Sequence, residues 1–67
     1  MTENLIDGLN RELERNRELL KQYKALGPCG NFGAAFIQQA ISEGESALSE
    51  NDAVDMVKAY AKLKDMK

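Results

Sequence analysis

The stretch Leu26-Gly27-Pro28-Cys29-Gly30-Asn31-Phe32-Gly33 contains three of the chain's five glycines, its only proline and its only cysteine. Gly27 can adopt the left-handed conformation that ends many helices, and Pro28 cannot continue a helix. The residues on both sides carry the apolar spacing of helices. The stretch therefore predicts the end of one helix, a turn and the start of another.

A second helix is expected to follow the turn, over about residues 33–48. Asn31 suits its N-cap, and Phe32 can pack back onto the first turn near Phe36. The small residues Ala40, Gly44 and Ala47 lie on its apolar stripe. Since glycine disfavours a helix by about 1 kcal/mol relative to alanine, we expect Gly44 to be the site of close helix packing or of a bend.

The turn also permits a functional interpretation. The second helix has no acidic residue before Glu43, which leaves its N-terminal dipole uncompensated beside glycine backbone, as in general anion sites. The pattern lacks the Lys-Ser/Thr pair and the preceding strand of a phosphate loop. Cys29 has no histidine in the chain to act as its base. The residues of this alternative small-anion (phosphate or nucleotide) site would be Gly30, Asn31, Gly33 and Ala34.

Before the turn, the sequence predicts a long first helix, over about residues 3–25, with Thr2 as its cap. Its apolar positions follow a near-heptad spacing, and one polar residue, Asn16, interrupts them. Asn16 is either a buried amide that sets helix register, a cap for neighbouring backbone, or a residue at the edge of the stripe. The stripe consists of Ile6, Leu9, Leu13, Leu20 and Tyr23.

A third helix is expected over about residues 51–65. Ser49 and Asp52 have the spacing of a capping box at its start. Apolar residues then recur at spacings of three and four. These are Ala53, Met56, Tyr60 and Leu63. The whole chain, residues 1–67, is thus predicted to be one all-α domain in which a long helix precedes a helical hairpin.

Composition limits the function. The net charge of −2 gives no electrostatic reason to bind nucleic acid, and no apolar run approaches the ~20 residues of a membrane span. Residues 1–10 lack the regions of a signal peptide, and one cysteine fits a reducing cytoplasm. A chain of 67 residues has a marginal core, and this one has neither a cysteine pair nor a histidine with which to reinforce it.

These limits favour a non-enzymatic interaction or assembly module that forms a homodimer. We expect the hairpin to cover only part of the first helix and to leave its N-terminal half as the dimer surface. The predicted interface residues are Ile6, Leu9, Leu13, Asn16 and Leu20. We predict no catalytic residue, no metal site and no cofactor.

The chain also resembles small, uncharacterised helical proteins of bacterial genomes and prophages. The resemblance covers most of the chain and rests on three motifs, Arg15-Asn16-Arg17-Glu18-Leu19-Leu20, the turn with Gly27-Pro28, Gly30 and Phe32-Gly33, and Ala59-Tyr60-Ala61-Lys62-Leu63-Lys64. No activity is attached to that group, so the resemblance implies relatives and no functional residue.

Overall fold

A computed structural model describes residues 4–66 and confirms the all-α fold with three α-helices. Helix α1 spans Leu5–Ala25, a short 3₁₀ helix spans Gly27–Gly30, α2 spans Asn31–Glu50 and α3 spans Ala53–Lys64. At 1.5 Å per residue, α1 and α2 are each about 30 Å long, whereas α3 is only about 18 Å. This difference in length determines which surfaces remain uncovered.

The caps differ from two of the predictions. Helix α1 begins after Asn4, whose side chain accepts a hydrogen bond from the Asp7 N–H at 2.8 Å; the predicted cap, Thr2, lies outside the described residues. The Ser49 capping box is wrong, because α2 continues to Glu50. Asp52 itself caps α3 by accepting from the Val54 and Asp55 N–H groups.

The turn ends α1 as predicted, with Gly27 at a φ of +72°. The start of α2 differs, because the 3₁₀ helix leads directly into it. Asn31 is therefore the first residue of α2 and not its cap, and its N–H donates to the Pro28 carbonyl. At the other end, α2 extends past residue 48 and stops at Asn51, which has a φ of +55°.

The three helices enclose a single core, with Gly44 at its centre. A Cβ atom on Gly44 would lie 2.8 Å from Leu13 Cδ2 and 3.2 Å from Leu63 Cδ1, so the predicted close packing is confirmed. The buried apolar residues are Leu9, Leu13, Leu20, Ala34, Ile37, Ala40, Ile41, Ala47, Met56, Ala59 and Leu63.

Helix α3 covers only half of the other two helices. Its Tyr60 ring lies against Gly8 in the first half of α1, and its Lys62 pairs with Glu43 of α2 at 2.8 Å. It then ends at Lys64. The prediction that the N-terminal half of α1 stays uncovered is thus wrong. The uncovered region contains the C-terminal half of α1, the turn and the N-terminal half of α2, and we call residues 19–39 the arm.

Candidate interaction surface

The predicted interface residues of α1 belong to the core of the single chain. Leu9, Leu13, Asn16 and Leu20 are buried, and only Ile6 is substantially exposed. The apolar stripe was expected to face a second molecule, but α2 and α3 fold back and cover it. These four residues therefore cannot form the contact between two folded copies. The expectation of a homodimer is a separate matter and stays a prediction.

Asn16 is the buried amide that one interpretation of the stripe anticipated. Its side chain is fully buried, and Nδ2 donates to the Glu12 carbonyl at 2.8 Å and to the Leu63 carbonyl at 3.1 Å. Its Oδ1 is buried without a hydrogen-bond partner. Because Leu63 lies in the last turn of α3, where carbonyls lack intrahelical partners, Asn16 acts as a C-terminal cap supplied by another helix.

Arg15 reinforces the same helix end. Its Nη2 donates to the Leu63 carbonyl at 2.7 Å, while its Nε bonds to Glu12 at 2.9 Å. Glu12 is buried, and its carboxylate also lies 3.8 Å from Arg11. The sequence pattern did not predict this role for the pair. The positive charge of Arg15 at the negative end of the α3 dipole is a favourable arrangement.

Two further ion pairs connect the helices. Arg17 of α1 bonds to Glu45 of α2 at 3.0 Å, and this hydrogen bond raises the pKa of the guanidinium above its ordinary value. Lys62 of α3 bonds to Glu43 of α2. Each pair of helices is therefore connected by at least one polar contact, in addition to the apolar core.

The four residues of the predicted anion site do not form an open cradle. Gly30 and Ala34 are buried, and the Asn31 N–H is already bonded within the turn. A Cβ atom on Gly33 would lie 2.5 Å from the Tyr23 ring, so Gly33 is covered by that ring. Close approach of α1 explains the glycines at 30 and 33, and it leaves no space at them for an anion.

Two aromatic rings instead stand out on the arm. Phe32 is 79% exposed and Phe36 is 53% exposed, although both are large apolar side chains. Their ring centroids are 5.7 Å apart with an interplanar angle of 52°, a tilted geometry that aromatic pairs favour. The predicted contact between them is confirmed, but Phe32 lies inside α2. Together with Ala35 and Gln39 they border a shallow depression of about 220 Å³.

The aromatic pair lies on the side of α2 that, in the second half of that helix, faces α3. Phe36 precedes Glu43, the partner of Lys62, by seven residues, and this spacing returns to the same helix face. On α1, Leu19 and Tyr23 follow Asn16 by three and seven residues in the same way. Both helices thus carry an apolar stripe past the end of α3. We call Leu19, Tyr23, Leu26, Phe32 and Phe36 the arm surface.

The part of the arm surface that follows α1 has uncharged surroundings, whereas Lys21 and Lys24 flank its α1 part. None of the 18 residues from Ala25 to Ser42 is acidic or basic, in a chain with 9 basic and 11 acidic residues. The polar side chain that borders the depression beside the aromatic pair is the uncharged amide of Gln39. A surface of this kind suits apolar contact with a neutral partner.

The rest of the described surface offers weaker candidates. Val54 and Val57 are exposed on α3 among charged residues. An open groove of about 580 Å³ separates the outer faces of α2 and α3, and the Glu43–Lys62 ion pair lies along it. Within residues 4–66 no three potential metal ligands come together, and no helix has the length and apolarity to cross a bilayer.

Comparison with known proteins adds no assignment: no family model matches the chain, and no curated protein or solved structure is significantly similar to it.

Proposed function

We propose that this protein is a small non-enzymatic interaction module that binds another protein chain through the arm surface. The observation that carries the proposal is the exposed pair Phe32 and Phe36, on an uncharged face beyond the end of α3. Fully burying a phenylalanine side chain is worth about 1.5–3 kcal/mol relative to leaving it in water. A partner that covers both rings gains most of that free energy.

The polar groups of the fold support binding rather than chemistry. Arg15, Asn16 and Arg17 hold α1 to the other helices, and Lys62 holds α3 to α2. Their partners are backbone carbonyls and carboxylates within the chain. We therefore assign them to stability, and we assign the function to the arm surface, whose most exposed side chains, Leu26, Phe32 and Phe36, are apolar.

The net charge and the single thiol bear on the class of partner and on the cellular compartment. Its net charge of −2 gives no electrostatic reason to bind phosphates, so we propose a protein partner rather than a nucleic acid. Cys29 is an exposed free cysteine, and such a thiol is typical of a reducing cytoplasm.

Photo-crosslinking in the cells that produce the protein tests the proposal. A photoreactive amino acid replaces Ala35, an exposed residue beside both phenylalanines, or Ser49, an exposed residue at the other end of α2. We expect adducts from position 35 and not from position 49, and their loss when Phe36→Glu is added. Absence of adducts at position 35, or equal adducts at both positions, contradicts the proposal.

A further inference from the structure

We infer that the partner on the arm surface is a second copy of this chain, an inference that rests on the proposed function. In the assembly that we propose, the arms of two copies pack side by side about a two-fold axis. The aromatic pairs of the two copies then lie at the centre, and the four helices of the two arms form a bundle. The part of each chain in which α3 packs against α1 and α2 stays outside the contact.

The first argument is that α3 is too short to pack along the arm. Helix α2 is longer than α3 by about 12 Å at 1.5 Å per residue, and α1 by about 13 Å. Over that length α3 does not extend along the apolar stripes of α1 and α2, although nearer to Leu63 the same stripes pack against it. Leu19 and Tyr23 are accordingly only partly buried against the core. A second arm supplies two helices of matching length with the same apolar faces, which is the arrangement of a four-helix bundle.

The second argument is charge. In a two-fold contact the same patch meets itself, so any net charge on it faces a like charge. Between Ala25 and Ser42, the stretch that contains the aromatic pair, the chain has none, and the two lysines of the arm, Lys21 and Lys24, lie on α1. A different partner selected by electrostatic complementarity would require charged groups on this face. The arm surface therefore suits a copy of itself better than it suits an acidic or a basic protein.

The third argument is area, which also sets the strength of the contact. With about 150–250 Å² for each aromatic side chain, the exposed fractions of Phe32 and Phe36 amount to roughly 200–330 Å² per chain. A standard interface buries about 800 Å² per partner. The aromatic pair thus forms the centre of a small interface, and Leu19, Tyr23 and Leu26 supply its edge. We expect a reversible dimer that dissociates on dilution in the micromolar range.

Sedimentation equilibrium over a series of concentrations tests the inference. The wild-type mass is expected to rise from 7.4 kDa towards twice that value as concentration increases. Phe36→Glu should weaken dimerisation at least about tenfold, because centrally buried anchor residues dominate interface energetics. Phe32→Glu serves as the second variant, since its side chain is mostly in solvent and its loss leaves the core intact.

Val57→Glu is the matched control. Val57 is 54% exposed, almost the same fraction as Phe36, but it lies on α3, outside the arm. It should dimerise as the wild type does. A wild-type chain that stays monomeric throughout overturns the inference, as does a dimer that only Val57→Glu weakens. If the chain is monomeric while position 35 crosslinks to a protein of another size, the second-copy inference fails and the proposed function stands.

Discussion

The side-chain amide of Asn16 donates to the backbone carbonyl of Leu63 at 3.1 Å, across 47 residues of sequence. This contact fixes the end of α3 against the middle of α1. Arg15 donates to the same carbonyl from the next position, so α1 supplies two donors to one helix end. The apolar stripes of α1 and α2 continue beyond this point, where α3 has ended. The cap therefore marks the boundary between the core and the arm surface.

Asn16→Asp should destabilise the protein by about 3–5 kcal/mol. A carboxylate has no proton to donate to the Glu12 and Leu63 carbonyls, and it would be an unpaired charge in a buried site. Asn16→Leu should destabilise by only about 1 kcal/mol, because it loses the hydrogen bonds of Nδ2 but also removes the buried Oδ1 that has no partner, while Leu63 still accepts from Arg15. Urea denaturation of both variants measures the difference. Equal losses in the two variants would contradict this account of the site.

Arg15→Ala should lower the free energy of unfolding by about 1–3 kcal/mol. It removes a charged donor from the Leu63 carbonyl and leaves the buried Glu12 carboxylate without its 2.9 Å partner. Amide hydrogen exchange should accelerate most in the last turn of α3. Lys21→Ala, at an exposed residue whose nearest carboxylate oxygen is 3.6 Å away, is the control and should change stability by under about 0.5 kcal/mol. Similar effects from both substitutions would refute a capping role for Arg15.

Gly44→Leu should destabilise by more than about 2 kcal/mol, since even a Cβ atom there would press on Leu13 and Leu63. Gly8→Ala is the comparison, because a Cβ at Gly8 meets only the edge of the Tyr60 ring, at 3.2 Å, and that partly exposed side chain can move. We expect Gly8→Ala to be within about 1 kcal/mol of the wild type, with helix propensity offsetting the contact. Thermal and urea unfolding measure both. A stabilising Gly44→Leu would mean that the helices do not pack at this glycine.

Substitutions at the left-handed residues Gly27 and Asn51 should change the free energy of unfolding in opposite directions. Gly27→Ala should destabilise by about 1 kcal/mol through backbone strain alone, because nothing lies within 4 Å of the added Cβ. Asn51→Gly should be neutral or stabilising, since glycine adopts the same φ of +55° without that strain. The pair of unfolding midpoints tests the turn geometry. Stabilisation by Gly27→Ala would show that the turn adopts a different conformation.

The positions of the helices and the glycine turn were predictable because each depends on local chemistry. Gly27 and Pro28 end α1 whatever the tertiary packing, and the spacing of Met56, Tyr60 and Leu63 identifies α3. The exact caps were less predictable, since Asn4 and Asp52 compete with neighbouring Thr2 and Ser49, which carry similar capping groups. The 3₁₀ helix that joins the turn to α2 has no distinct pattern in the sequence.

Four of the five residues predicted for the dimer interface lie in the chain's own core. The spacing of Leu9, Leu13 and Leu20 does not indicate whether these residues pack against helices of the same chain or of another. In this structure they pack within the same chain. A second heptad spacing on α1 passes through the buried Glu12 and Asn16 and continues into the arm. It would have indicated that the apolar face of α1 extends to Leu26. It consists of Leu5, Leu9, Glu12, Asn16, Leu19, Tyr23 and Leu26. Where α3 ends along that stripe depends on the Leu63 cap, a tertiary contact that local patterns do not contain.

Backbone amide shifts of the ¹⁵N-labelled protein during dilution test whether two copies meet at the arm surface. We expect concentration-dependent shifts concentrated in residues 19–39, around Phe32 and Phe36, with the amides near Val54 and Val57 unchanged. Spectra that do not change with concentration, or shifts centred on α3, would contradict this expectation.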